Sequence, residues 1–181
     1  MTTRIHRLDL GHVMLPDSHP RSSDKTCPIF SYAVDVPDGI VVVDTGPRTG
    51  HPLIDELYSP VVVSVIDALH NKAEFYTVPE WAHIETQRLR ISADREEVAA
   101  GIRLLHTPGH QSVAVNTSEG LALIVGQACY TCAEFSAGEP AETDMHDPDW
   151  WTVGRDSATR LRDLGADIAL FSHDPTVHQR T

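Results

Sequence analysis

The apolar positions of the chain fall into short runs separated by turn residues. IFSYAVDV (Ile29 to Val36), the turn Pro37-Asp38-Gly39 and IVVVD (Ile40 to Asp44) predict a β-hairpin, because Pro and Gly supply turn geometry between β-rich runs. The second of these strands is apolar on both faces, which places it inside a sheet as an expectation. Further on, an apolar run from Ile102 stops at His106, turns through Thr107-Pro108-Gly109, presents His110 and resumes alternation in SVAV. The turn Asn116 to Gly120 and the run LALIVG then predict another hairpin.

Helical spacing is found in two places. After Asp44-Thr45-Gly46, Ser59 is a candidate cap and Pro60 a first-turn residue, with Val62, Ile66 and Leu69 on one face; the β-branched run VVVSVI is equally compatible with a strand. Asp147-Pro148 opens a second helix in which Trp151, Ala158, Leu161 and Leu164 recur at helical spacing, with Asp147 as its cap. Gly165 ends that helix before the strand DIALF, which stops at Ser172-His173-Asp174-Pro175. Asp17 to Lys25 is polar and is expected to be a loop. The order predicts sheets with helices on their outer faces. Three strands end in polar punctuation, at Asp44, at His106 and His110, and at His173, and strand-end loops are where binding and catalytic groups tend to meet.

With 181 residues, 41% of them apolar, the chain has enough material for one substantial core, and no internal repeat or low-complexity block divides it. Acidic residues outnumber basic ones 26 to 14, for a formal charge of −12, which repels nucleic-acid phosphates and anionic lipid surfaces. No nucleic-acid or membrane partner is expected. The start, MTTRIHRLDLGHVML, is broken by Asp9, Gly11 and His12, so it has neither a signal-peptide core nor a membrane span, and a cytoplasmic location is the expectation. Cys27, Cys129 and Cys132 cannot all pair with one another and are expected to be thiols.

Four blocks, VVVDTG, LLHTPGHQS, GQACYT and the late FSHD, together resemble the metallo-β-lactamase superfamily, and within it the lactonases that open acyl-homoserine lactones. The resemblance spans most of the chain. It implies one domain over residues 1–181, of α+β class: a shortened αββα sandwich of two mixed β-sheets with outer helices and a metal site where strand-end loops meet. It further implies a cytoplasmic hydrolase that opens a lactone or ester with zinc-activated water, a quorum-quenching activity in such lactonases. By position, His110 and His173 resemble metal-ligating histidines, and Tyr130 resembles the tyrosine that lactonases place beside the substrate carbonyl. Asp44 resembles the strand-end aspartate that orients its neighbouring loop.

Three departures accompany these matches. The superfamily's His-x-His-x-Asp-His element is absent, since between Gly46 and His106 the histidines are His51, His70 and His83, without that spacing. The TPGH turn occurs once, and Gln127 stands where a bridging aspartate is expected. The ligand loop and its flanking strands look shortened, and the sheet edges so exposed make a homo-oligomer possible. The alternative is therefore a family member that has lost its metal ligands and acts as a binding or vestigial protein.

Other candidates are weaker. His106 lies in the right turn to replace a lost ligand but is equally a strand-end residue, and His70 and His83 have no supporting spacing. His146 sits between two aspartates, and Trp150 with Trp151, and Phe75, Tyr76 and Trp81, are candidate pocket walls or core residues. Cys129-x-x-Cys132 matches a redox or zinc motif in form, yet it follows a strand without a partner motif, so two small core-lining residues flanking Tyr130 are the favoured reading.

Overall fold

The protein is described by a computed structural model covering residues 3–15, 25–44, 61–62, 93–107, 110–139 and 148–180; the side chains of residues 61–62, 110 and 148–151 fall outside the description. A first sheet is formed by β1 (Ile5–Met14), β2 (Thr26–Val36), β3 (Gly39–Val43) and β4 (Val61–Val62) in the order β3-β2-β1-β4, with antiparallel neighbours. A second sheet is formed by β5 (Glu97–Ala99), β6 (Ile102–Thr107), β7 (His110–Thr117), β8 (Gly120–Ile124), β9 (Ile168–Leu170) and β10 (His178–Gln179), in the order β10-β9-β8-β7-β6-β5. Its one parallel pair among the described strands is β8 with β9. The connection between those two strands carries helices α1 (Cys132–Ala137) and α2 (Pro148–Asp163), as a parallel crossover requires.

Alternation along the strands builds the layers. Val113 and Val115 of β7 and Ala122 and Ile124 of β8 join Phe30, Tyr32 and Val34 of β2 in a core between the two sheets. The intervening Ala114 and Leu123 face the other way and pack with Phe135, Ala158, Leu161 and Phe171 under the helices. Small residues at 114, 158, 166 and 169 let helix and sheet approach closely. A third cluster, Leu10, Val13, Cys27 and Ile29, covers another part of β1 and β2. The architecture is an α+β sandwich of the metallo-β-lactamase-like type, two facing sheets with α1 and α2 on the outer face of the second.

The two hairpins, β2–β3 and β7–β8, and helix α2 form where the sequence places them. Strand β3 corrects one expectation: among the described residues it is an edge strand, with Ile40 65% and Val42 37% exposed while Val41 and Val43 pack toward the inter-sheet core. A both-sides-apolar run measures how hydrophobic a strand is and not how many neighbours it has. Val61 and Val62 take the strand alternative, pairing with Gly11 and His12 of β1; the remaining residues of that candidate helix lie outside the described residues. Most of the candidate loop at 17–25, with His51, His70, Phe75, Tyr76, Trp81, His83, His146 and Asp147, lies outside them too.

Strand β1 and helix α1 have no counterpart in the sequence reading. In β1 the pairing with β2 slips between Asp9 and His12, where Gly11 adopts φ 101° and gives its N–H to Asp9 Oδ1 at 2.9 Å. That bulge breaks the two-residue period on which strand recognition relies. Helix α1 did leave a signal: Thr131 and Glu134 form a reciprocal capping box, and Gly138 closes the helix at φ 73°.

Candidate functional site

Strands β8 and β9 run parallel, so their C-terminal ends leave the second sheet on the same side. Beyond β8, the Val125 N–H donates to the Leu170 carbonyl at 2.9 Å, and a short 3-10 turn, Gly126–Ala128, carries Gln127. Gly126 is needed here, because it adopts φ 65° and a Cβ on it would sit 3.0 Å from the Gln111 carbonyl of β7. Beneath this turn the Ser112 hydroxyl donates to the Val125 carbonyl at 2.8 Å and lies 3.3 Å from the Thr107 hydroxyl, both side chains being buried. Cys129 then points inward, Tyr130 follows, and Thr131 starts α1. Glu134 fixes this passage, its Oε2 accepting from the Tyr130 N–H at 2.6 Å and the Thr131 N–H at 2.8 Å.

Beyond β9 the chain is gripped by the first sheet. The buried Tyr32 hydroxyl donates to the Phe171 carbonyl at 2.6 Å, the Phe30 N–H donates to the Ser172 carbonyl at 2.8 Å, and His173 Nδ1 lies 2.9 Å from the Pro28 carbonyl. Arg7, whose guanidinium lies over the Phe30 ring, donates to the Pro175 carbonyl at 2.6 Å. Burial pushes the Tyr32 phenol above its ordinary range, so it stays a neutral donor. Alternate residues of β2 thus hold three successive residues ending at His173. Asp174 closes the other side, its Oδ2 accepting from the Cys132 N–H at 2.9 Å.

These two exits bring His173 and Tyr130 into edge-to-face contact, with ring centroids 4.9 Å apart and planes at 69°. Gln127 Nε2 lies 3.4 Å from His173 Nε2. Because the Pro28 carbonyl only accepts, the neutral ring carries its proton on Nδ1 and presents the Nε2 lone pair to the Gln127 amide. His173, Tyr130 and Gln127 are all half-buried.

His110 opens β7, where its backbone pairs with Thr107; its side chain lies outside the described residues. His106 is exposed and belongs to the structural frame: its N–H donates to Asp94 Oδ1 at 2.7 Å, and its carbonyl accepts from Arg160 of α2. Asp44 ends β3 at φ 59°, close enough to Tyr32 to oppose its ionisation. Cys129 is fully buried, donates its S–H to the Glu139 carbonyl at 3.3 Å, and has its thiol pushed up to about 12 by burial, which makes it an inert core residue. Sequence reasoning did not anticipate Tyr32 and Pro28 as supports, since each acts from another sheet.

A zinc ion of the kind the sequence resemblance implies takes three or four histidine, cysteine or carboxylate ligands. Among the described residues no group of three or more His, Cys, Asp or Glu is placed to hold a metal ion. Among the described side chains, those at the strand ends are the His173 imidazole, the Tyr130 phenol, the Gln127 amide and the Asp174 carboxylate, whose Oδ2 is taken by the Cys132 N–H, a set that does not fit zinc. Among the described residues, too, no helix is long and apolar enough to cross a membrane.

No family model matches the chain, and no curated protein sequence matches it. Solved structures do. An N-acyl homoserine lactone hydrolase with the product N-hexanoyl-L-homoserine bound at its catalytic metal center is 19% identical, with 97% of this chain and 95% of that one covered at a TM-score of 0.68. A quorum-quenching N-acyl homoserine lactone lactonase is 19% identical over 97% of this chain and 94% of its own, with a TM-score of 0.70. A B. thuringiensis AiiA variant with N-decanoyl-L-homoserine at its active site gives 19%, 97% and 95%, and a TM-score of 0.68. At this identity the likeness establishes architecture: the chain has the fold of the N-acyl homoserine lactone hydrolases.

Proposed function

We propose that the chain is a hydrolase of small lactones or related esters, acting at the strand ends where Tyr130 meets His173. The observation that carries this reading is the ring contact between those two residues, in a fold shared with lactone hydrolases. As water adds to a lactone carbonyl, negative charge builds on the carbonyl oxygen, and a phenol hydrogen bond stabilises it. Tyr130 suits that task because its backbone is pinned by Glu134 and its ring by His173, so little ordering is left to do when substrate arrives. The role does not depend on how the water is activated. The small uncharged substrate also suits a chain of net charge −12, from which the anionic hydroxy-acid product is repelled.

The test is ring opening of an N-acyl homoserine lactone, followed by proton release with the purified chain. Tyr130→Phe is expected to lower turnover about 100-fold, the cost of one oxyanion donor. Unchanged rates would remove Tyr130 from the chemistry. Absence of turnover by the unaltered protein, with and without added zinc, would overturn the hydrolase reading. A second reading, a protein that binds such a ligand without turning it over, is favoured by the Gln127 amide on the His173 lone pair; calorimetry with the same lactone distinguishes it.

A further inference from the structure

His173 is engaged through both ring nitrogens. Nδ1 is satisfied by the Pro28 carbonyl, the kind of outer partner that orients metal-binding histidines. Nε2 faces the Gln127 amide nitrogen at 3.4 Å, and an amide N–H and a cation compete for the same lone pair. The backbone on either side of Gln127 is held by its surroundings. Gly126 before it is pressed against the Gln111 carbonyl, and Ala128 and Cys129 after it are buried in the core under the helices. The amide brings no negative charge to offset a divalent ion, whereas a carboxylate at the same position would bring one along with two oxygen ligands.

We infer that His173 is held as the hydrogen-bond acceptor of Gln127 and not as a zinc ligand, so that the two side chains form a hydrogen-bonded pair at these strand ends. The inference rests on reading the strand ends as the functional site. Residue 127 is then the switch: an aspartate there removes the competing N–H and puts a carboxylate beside the Nε2 lone pair. The shared fold places a catalytic metal center in a hydrolase 19% identical to this chain, so the difference lies in side chains and not in architecture.

The experiment is an NMR titration of the full chain with zinc chloride, following the His173 imidazole resonance, assigned by its loss in His173→Gln. In the unaltered protein that resonance is expected to stay in place at one equivalent of zinc, and in Gln127→Asp it is expected to shift. A shift in the unaltered protein at one equivalent would overturn the inference, as would a folded Gln127→Asp variant whose resonance stays in place. The unaltered protein decides the first point even where the variant fails to fold. Lactone turnover on the same samples reads the hydrolase proposal separately: zinc at His173 with turnover keeps that proposal and sinks this inference. An unmoved resonance without turnover does the reverse.

Discussion

Ser172 illustrates how residue-scale chemistry surrounds the site. Its side chain is fully buried, and its hydroxyl has no hydrogen-bond partner among the described residues, although its carbonyl is taken by Phe30. A buried polar group without a partner costs its desolvation, so Ser172→Ala is expected to be neutral or stabilising by up to about 1 kcal/mol, read as a shift in the urea midpoint. A loss of more than 1 kcal/mol would show that the hydroxyl is satisfied. Tyr32→Phe is the opposite case, since it strands the Phe171 carbonyl inside the core. It is expected to cost about 1–3 kcal/mol in the same urea experiment. The tyrosine could be placed in a strand from sequence, but its partner 139 residues away could not.

Among elements, helix α1 has six residues and would not form alone. Its capping box and the burial of Phe135 against Phe171, with ring centroids 5.7 Å apart, hold it in place. Thr131→Ala is expected to cost about 1 kcal/mol of stability, measured by thermal melt, and to loosen Tyr130 immediately before the helix. No loss of stability would mean that Glu134 alone caps the turn. The sequence signal for α1 is Thr131 followed three residues later by Glu134, which overlaps the GQACYT block. Strand β3 shows the other limit. Its five residues predict a strand correctly, while its edge position follows from which strands pair with β2, a matter of long-range topology.

Across the whole molecule, two aspartates tie sequence-distant parts together. Asp94 accepts from His106 and faces Arg160 at 3.3 Å; Asp167 accepts from Leu121 at 2.8 Å and Arg180 at 2.6 Å. In each the backbone hydrogen bond, then the arginine, lowers the carboxyl below its ordinary value of 3.8. A carboxyl whose pKa is lower folded than unfolded adds stability above its unfolded value and loses it as pH falls through the folded one. Acid melts are therefore expected to fall steeply below about pH 4, and the double variant Asp94→Asn, Asp167→Asn to show a flatter slope there. Parallel slopes would assign acid sensitivity to other groups.

What the sequence determined by itself is what short-range physics controls: hairpins from alternation and turn residues, helix α2 from its 3.6-residue period and closing glycine, and the candidacy of His173 from its place at a strand end, whereas Tyr130 is a candidate only through the resemblance to lactonases. Tertiary structure decided which of these meet. The parallel pairing of β8 and β9 sends residues 127, 130 and 173 to the same end of the sheet, and β2 of the opposite sheet fixes the tautomer of the histidine through Pro28. The reason is physical: a hydrogen bond between residues 46 or 145 positions apart leaves no periodicity in the chain, because it is created by the packing of sheets and not by the local backbone.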